Sequence, residues 1–157
     1  MPAVKSQEFG YTLHDVDLAV NKVLALAGRD EPRDFLDILD IDERIHPLGP
    51  LCWAAVGKDP GFTPLSLLEL LRRRGKYRPE DFERLHLREP VDLHAMKSRW
   101  LGMLEKAEAF VRAAPPAEIG CLYFSPGEQK FVEPNGSAPI VPHYGRPGGV
   151  LPRLLGQ

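Results

Sequence analysis

Cysteine is scarce in this chain. Cys52 and Cys121 are the only two in 157 residues, far apart and without a Cys-x-x-Cys partner, so neither a disulfide framework nor a cysteine zinc site is available. An excess of one charge is lacking too: 20 basic and 22 acidic residues leave a net charge of -2, and no global field draws the protein to nucleic acid or to an anionic membrane. Any such binding must be local. No apolar run approaches the roughly 20 residues that span a bilayer, and Met1 to Gly10 carries no signal-peptide core. These absences give the expectation of a cytoplasmic protein in a reducing compartment, without a membrane partner. The five histidines (His14, His46, His86, His94, His143) include no i, i+4 pair, no Ser or Cys lies in a nucleophile elbow, and Gly145 to Gly149 is no phosphate loop.

Helical signals dominate what is present. Thr12-Leu13-His14-Asp15 has the Thr-x-x-acid form of a capping box, and Val16, Val20, Val23, Leu24 and Ala27 follow at helical spacing, predicting a helix over about 13–28. Pro32 suits the first turn of a second helix with Phe35, Leu36, Leu39 and Ile38 inward and Arg33, Asp34, Asp37 and Asp40 elsewhere on the cylinder. Leu51 to Val56 is a short apolar segment, Thr63-Pro64 starts another helix, and Pro79-Glu80-Asp81 starts a brief one. Asp92 caps the longest, in which Leu93, Met96, Trp100, Met103, Leu104, Ala107 and Val111 form a core stripe ended by Pro115-Pro116. Cys121 to Phe124 and Lys130 to Val132 read as a β-hairpin.

The expected fold is therefore mainly α: a helical domain over 12–133, a small β-hairpin near its C-terminal end, and an extended Pro/Gly-rich tail over 134–157. The tail still holds Ile140, Val141, Tyr144, Val150, Leu151, Leu154 and Leu155, too many for a solvating linker, so it is expected to cover a groove of its own domain or a neighbouring subunit in a homo-oligomer.

The most informative stretch runs from Leu18 to Asp37. Lys22, Ala25 and Arg29 share one face of the first helix, and Arg33, Asp34 and Asp37 follow at the start of the second. This resembles the Lys-x-x-Ala-x-x-x-Arg, then Arg-Asp-x-x-Asp signature of the AbiEii-type nucleotidyltransferases, a family that includes toxins of type IV toxin–antitoxin systems. The likeness extends weakly through Lys58-Asp59-Pro60-Gly61-Phe62 and Gly120-Cys121-Leu122-Tyr123, over about residues 12–134. The resemblance implies the C-terminal helical half of such an enzyme, with Lys22, Arg29, Arg33, Asp34 and Asp37 as nucleotide-binding positions.

Family members hold a catalytic metal with a Gly-Ser motif and an Asp-x-Asp pair on a sheet upstream of these helices. Nothing of that kind precedes residue 12. Asp15-Val16-Asp17 matches Asp-x-Asp literally, but two positions apart on a helix the carboxylates diverge, and acids at a helix start complement its dipole. No catalytic residue and no metal ligand is therefore assigned. Magnesium and an NTP enter only if a catalytic half is supplied as a partner, and an antitoxin is a further implied partner. The residues alone leave other accounts open: Lys22 as a solvated cation or one paired with Asp37, Arg33 and Asp37 as a local pair, and Asp34 with Asp37 as two carboxylates too few for a cation site.

Arg72-Arg73-Arg74-Gly75-Lys76-Tyr77-Arg78 is the densest basic run. Arg72, Arg73, Arg74 and Lys76 are candidate nucleic-acid contacts, with Tyr77 to stack on a base, and cations favoured at a helix C-terminus are the plainer account. Two functions are thus expected in order: a helical substrate-side domain, inactive alone, of a nucleotidyltransferase-like protein; or a standalone module that binds protein or nucleic acid.

Overall fold

The structure, a computed structural model, describes residues 4–6, 10–12 and 14–145. It is mainly helical, with a small antiparallel sheet near the C-terminus. Helix α1 (Asp15–Arg29) starts two residues later than the capping-box pattern suggests. Its N-cap is His14, in extended conformation, whose imidazole Nδ1 accepts from the Val16 N–H at 3.2 Å. Asp30 ends it in the left-handed region. Helix α2 (Pro32–Arg44) follows after a two-residue turn, with proline where a missing N–H costs nothing. Phe35, Ile38, Leu39 and Ile41 are buried on α2, and so is Asp34.

Helix α3 (Leu48–Lys58) is the apolar segment around Leu51 to Val56, extended at both ends. It is buried nearly all round, through Leu48, Leu51, Cys52, Trp53, Ala54 and Ala55, as a helix enclosed by its neighbours must be. Those neighbours are α1, helix α4 (Pro64–Arg72), the long helix α6 (Leu93–Ala113) and the C-terminal sheet. Thr63 and Ser66 close a reciprocal capping box on α4, and Asp92 accepts from the Ala95 N–H at 3.0 Å to open α6. The short helix α5 (Pro79–Glu83) lies between them in sequence. On α6, Trp100, Met103, Leu104, Ala107 and Val111 are buried and Leu93 and Met96 half-buried, which is the stripe read from the sequence.

Strand β1 (Val4–Ser6) pairs antiparallel with β2 (Gly10–Thr12), a hairpin absent from the sequence reading. The C-terminal sheet has the order β4-β3-β5, all antiparallel. Strands β3 (Cys121–Ser125) and β4 (Lys130–Val132) form the expected hairpin. Strand β5 (Val141–Tyr144) lies in the stretch read as an extended tail; it pairs along the other edge of β3, Cys121 opposite Tyr144 and Phe124 opposite Val141. Ile140, just before it, packs against the core. Residues 146–157, with the rest of the tail's apolar side chains, lie outside the described residues.

The sheet is fastened to α3 by backbone. Gly120 N–H donates to the Trp53 carbonyl at 3.1 Å, Gly145 N–H to the Gly120 carbonyl at 3.0 Å, and the Trp53 indole to the Glu118 carbonyl at 2.8 Å. Gly120 has φ +95, and a Cβ on Gly57 would stand 2.5 Å from the Gly120 oxygen, so helix and strand meet where neither has a side chain. Among the described residues no helix is long and apolar enough to cross a membrane.

Candidate functional site

The short α1–α2 connection lays the start of α2 against the last turns of α1. Arg29 grips Asp34 with two bonds, Nε to Oδ2 at 2.6 Å and Nη2 to Oδ1 at 3.0 Å. Lys22, two turns earlier on the same face, places Nζ 3.3 Å from Asp34 Oδ1 and 2.8 Å from Asp37 Oδ2. Four of the five positions that the resemblance singled out are thus in one cluster. Arg33 is not: it is exposed and makes no ion pair among the described residues, so the local Arg33–Asp37 pair does not form.

The cluster is layered. The Asp34 side chain is 1% exposed, against 38% for Lys22, 39% for Asp37 and 62% for Arg29. That corrects the sequence placement of Asp34 away from the core face of α2. A buried carboxylate needs partners, and the bidentate Arg29 fork supplies the firmest of them. The Arg29 guanidinium, with Lys22 behind it, holds the Asp34 carboxyl below its ordinary range against the opposing effect of burial. Asp37 above all, then Asp34, raises the Lys22 ammonium, which therefore stays charged. An ammonium has three donors, and two of them are spent here. The third has no protein partner among the described residues.

No family model, no curated protein and no solved structure matches this chain.

A second cation fixes the other end of α1. Lys58, at the end of α3, forms an ion pair with the Asp17 carboxylate and also donates to Asn21 Oδ1 at 2.8 Å and to the Asp17 carbonyl at 3.3 Å. All three of its donors are occupied, so it locks α3 to α1. Asp17 is thereby committed, while Asp15 faces solvent. Among the described residues no group of three or more His, Cys, Asp or Glu could hold a metal ion.

The basic run divides into inward and outward members. Arg72 pairs with Glu108 of α6, whose carboxyl is held low by Arg112 and Arg72. Arg74 turns in to the end of α1, where Nε donates to the Ala27 carbonyl at 3.1 Å and Nη1 lies 3.8 Å from Asp30. The Tyr77 ring is buried against Phe35 and Phe82, and its hydroxyl donates to Asp30 Oδ1 at 2.5 Å. It is therefore not available to stack on a base. Arg73 and Lys76 are exposed and make no ion pair among the described residues. Sequence reasoning missed Asp30 as the anchor for this segment; its signal was an acid at a helix end that must leave the right-handed region, a role Asp tolerates.

A cavity of ≈ 510 Å³ opens at the far end of α2, lined by Arg44, His46, Lys130, Glu133, Asn135 and Ile140 among others. His46 is 4% exposed, and its Nε2 has no hydrogen-bond partner.

Proposed function

We propose that this chain is the helical, substrate-side part of a nucleotidyltransferase-like protein of the AbiEii type, with Lys22 as the cation that meets the phosphates of a nucleotide. The observation that supports this is the placement of the Lys22 ammonium: two carboxylates hold it at the surface, charged, with one donor unspent. Arg29 acts through Asp34, fixing the carboxylate that in turn positions Lys22. A held cation stabilises charge developing on a transferring phosphoryl group better than a mobile one, because no reorganisation is needed at the moment of transfer. Transfer itself requires a metal cradle, which Asp15 and Asp17 do not make, so the reading includes a partner polypeptide carrying the Gly-Ser/Asp-x-Asp half.

The test is label transfer from each common NTP with magnesium, using the full chain alone and together with the catalytic half of an AbiEii-type enzyme. The expected result is no transfer alone and transfer in the combination. There, Lys22→Ala lowers the rate by about 10²–10³-fold, the usual order for losing one charge-stabilising donor, and Lys106→Ala on α6 leaves it unchanged. Robust magnesium-dependent transfer by the isolated chain, abolished in an Asp15→Asn/Asp17→Asn variant, would overturn the assignment.

A further inference from the structure

We infer that the end of the molecule formed by the α1–α2 turn and the segment fastened across it, residues 72–78, is an interface for a nucleic-acid backbone, with Arg33, Arg73, Lys76 and Arg78 as its phosphate contacts. The segment is held down through Arg74 and Tyr77, which turn in to Ala27 and Asp30. Gly75, at φ +78, turns the chain where a Cβ would lie 2.8 Å from the Phe35 ring. Arg73 just before these anchors, Lys76 between them and Arg78 just after them stand exposed, next to the turn that carries the exposed Arg33. Elsewhere Arg72 and Arg112 are spent on Glu108 and Arg99 on Glu43, whereas Arg84 and Arg88, beyond α5, are exposed and make no ion pair among the described residues. Here, among the described residues, Arg33, Arg73 and Lys76 have no acidic partner, and Arg78 has only Glu80 at 3.9 Å.

Helix dipoles do not account for this arrangement. The C-terminus of α4 favours a cation at Arg73, but Arg33 stands in the first turn of α2 and Arg78 at the N-cap of α5, where a dipole disfavours positive charge. A protein partner fits less well, because the cores of protein interfaces are apolar and depleted in charge. No large exposed apolar side chain lies within 72–81. Three of the four cations are arginines, whose planar fork matches a phosphate. With Tyr77 and Phe82 buried there is no stacking platform, so contact is to the backbone alone, independent of sequence and strongly dependent on salt. The inference goes beyond the transfer reading and does not rest on it, since Lys22 and Arg29 take no part.

The experiment is fluorescence anisotropy of a labelled oligo(U) strand titrated with the full chain across salt. Four phosphate contacts give a slope of log K against log salt near -3, or about 50-fold weaker binding from about 50 to about 200 mM salt. Arg73→Gln and Lys76→Gln each flatten the slope by about 0.7; Lys97→Gln and Lys106→Gln on α6 leave it alone, and so does Lys22→Ala, which separates this result from the transfer assay. No anisotropy rise at about 50 mM salt, or a slope that the Arg73 and Lys76 variants do not change, overturns the proposal. So does binding of poly-glutamate without binding of oligo(U), which would mark an acidic protein as the occupant.

Discussion

Asp34 and His46 are both buried ionisable groups, and they meet burial differently. Asp34 keeps its charge because Arg29 and Lys22 surround the carboxylate, so its pKa lies below the unfolded value. The stability it contributes is present above the unfolded carboxyl range and is lost as pH falls through its lowered native pKa. His46 has no partner for Nε2, and burial lowers its pKa from 6.5 to about 4. The unfolded chain then takes up a proton near 6.5 that the native chain refuses until about 4, so stability falls as pH drops through that window. The loss is on the order of 3 kcal/mol. Urea unfolding across the window is expected to show this slope in the wild type and a flatter one in His46→Phe. Equal slopes would mean that the imidazole is protonated or solvated in the native state.

At the scale of elements, the contact of α3 with β3 depends on what is missing from Gly57. An alanine there would put a methyl 2.5 Å from the Gly120 oxygen, a backbone atom that cannot rotate away. Gly57→Ala is expected to cost about 1–3 kcal/mol, the usual range for overpacking. Gly102, inside α6, has nothing within 4 Å of its would-be Cβ. Gly102→Ala is expected to gain about 0.5–1 kcal/mol through helix propensity alone. Thermal melts of the two variants check the contrast, and a Gly57→Ala protein as stable as the wild type would refute the close approach. The helices themselves were legible because their starts are chemically marked: Pro32, Thr63-Pro64 and Asp92 stand at or beside the first turns they predicted. Strand β5 was not. It is four residues long, contains Pro142, and lies on a sheet edge where proline is tolerated, so it carries no alternation to read.

For the molecule as a whole, a net charge of -2 conceals how the charges are sorted. Residue types and spacing made Lys22, Arg29, Asp34 and Asp37 visible as a group, because a two-residue connection leaves adjacent helices little choice but to pack. Their layering was not visible, since the periodicity of α2 treats Asp34 as polar and only the packed structure shows it beneath its partners. The same limit hid which members of the basic run turn inward: Arg74 and Tyr77 are drawn in by Asp30, a residue 47 positions away from Tyr77.

Cys52 on α3 and Cys121 at the start of β3 are free and buried, and burial pushes both thiols up, away from the reactive thiolate. They sit on the two elements that the glycine contact holds together, and so they act as a built-in clock for its opening. A thiol reagent in native buffer is expected to modify neither at an appreciable rate and both at once in denaturant. If the sheet lifts by itself, Cys121 reacts ahead of Cys52, and the interval between the two measures how much longer the helical core endures than the seam that closes it. Rapid modification of both in native buffer would show that this seam is already open.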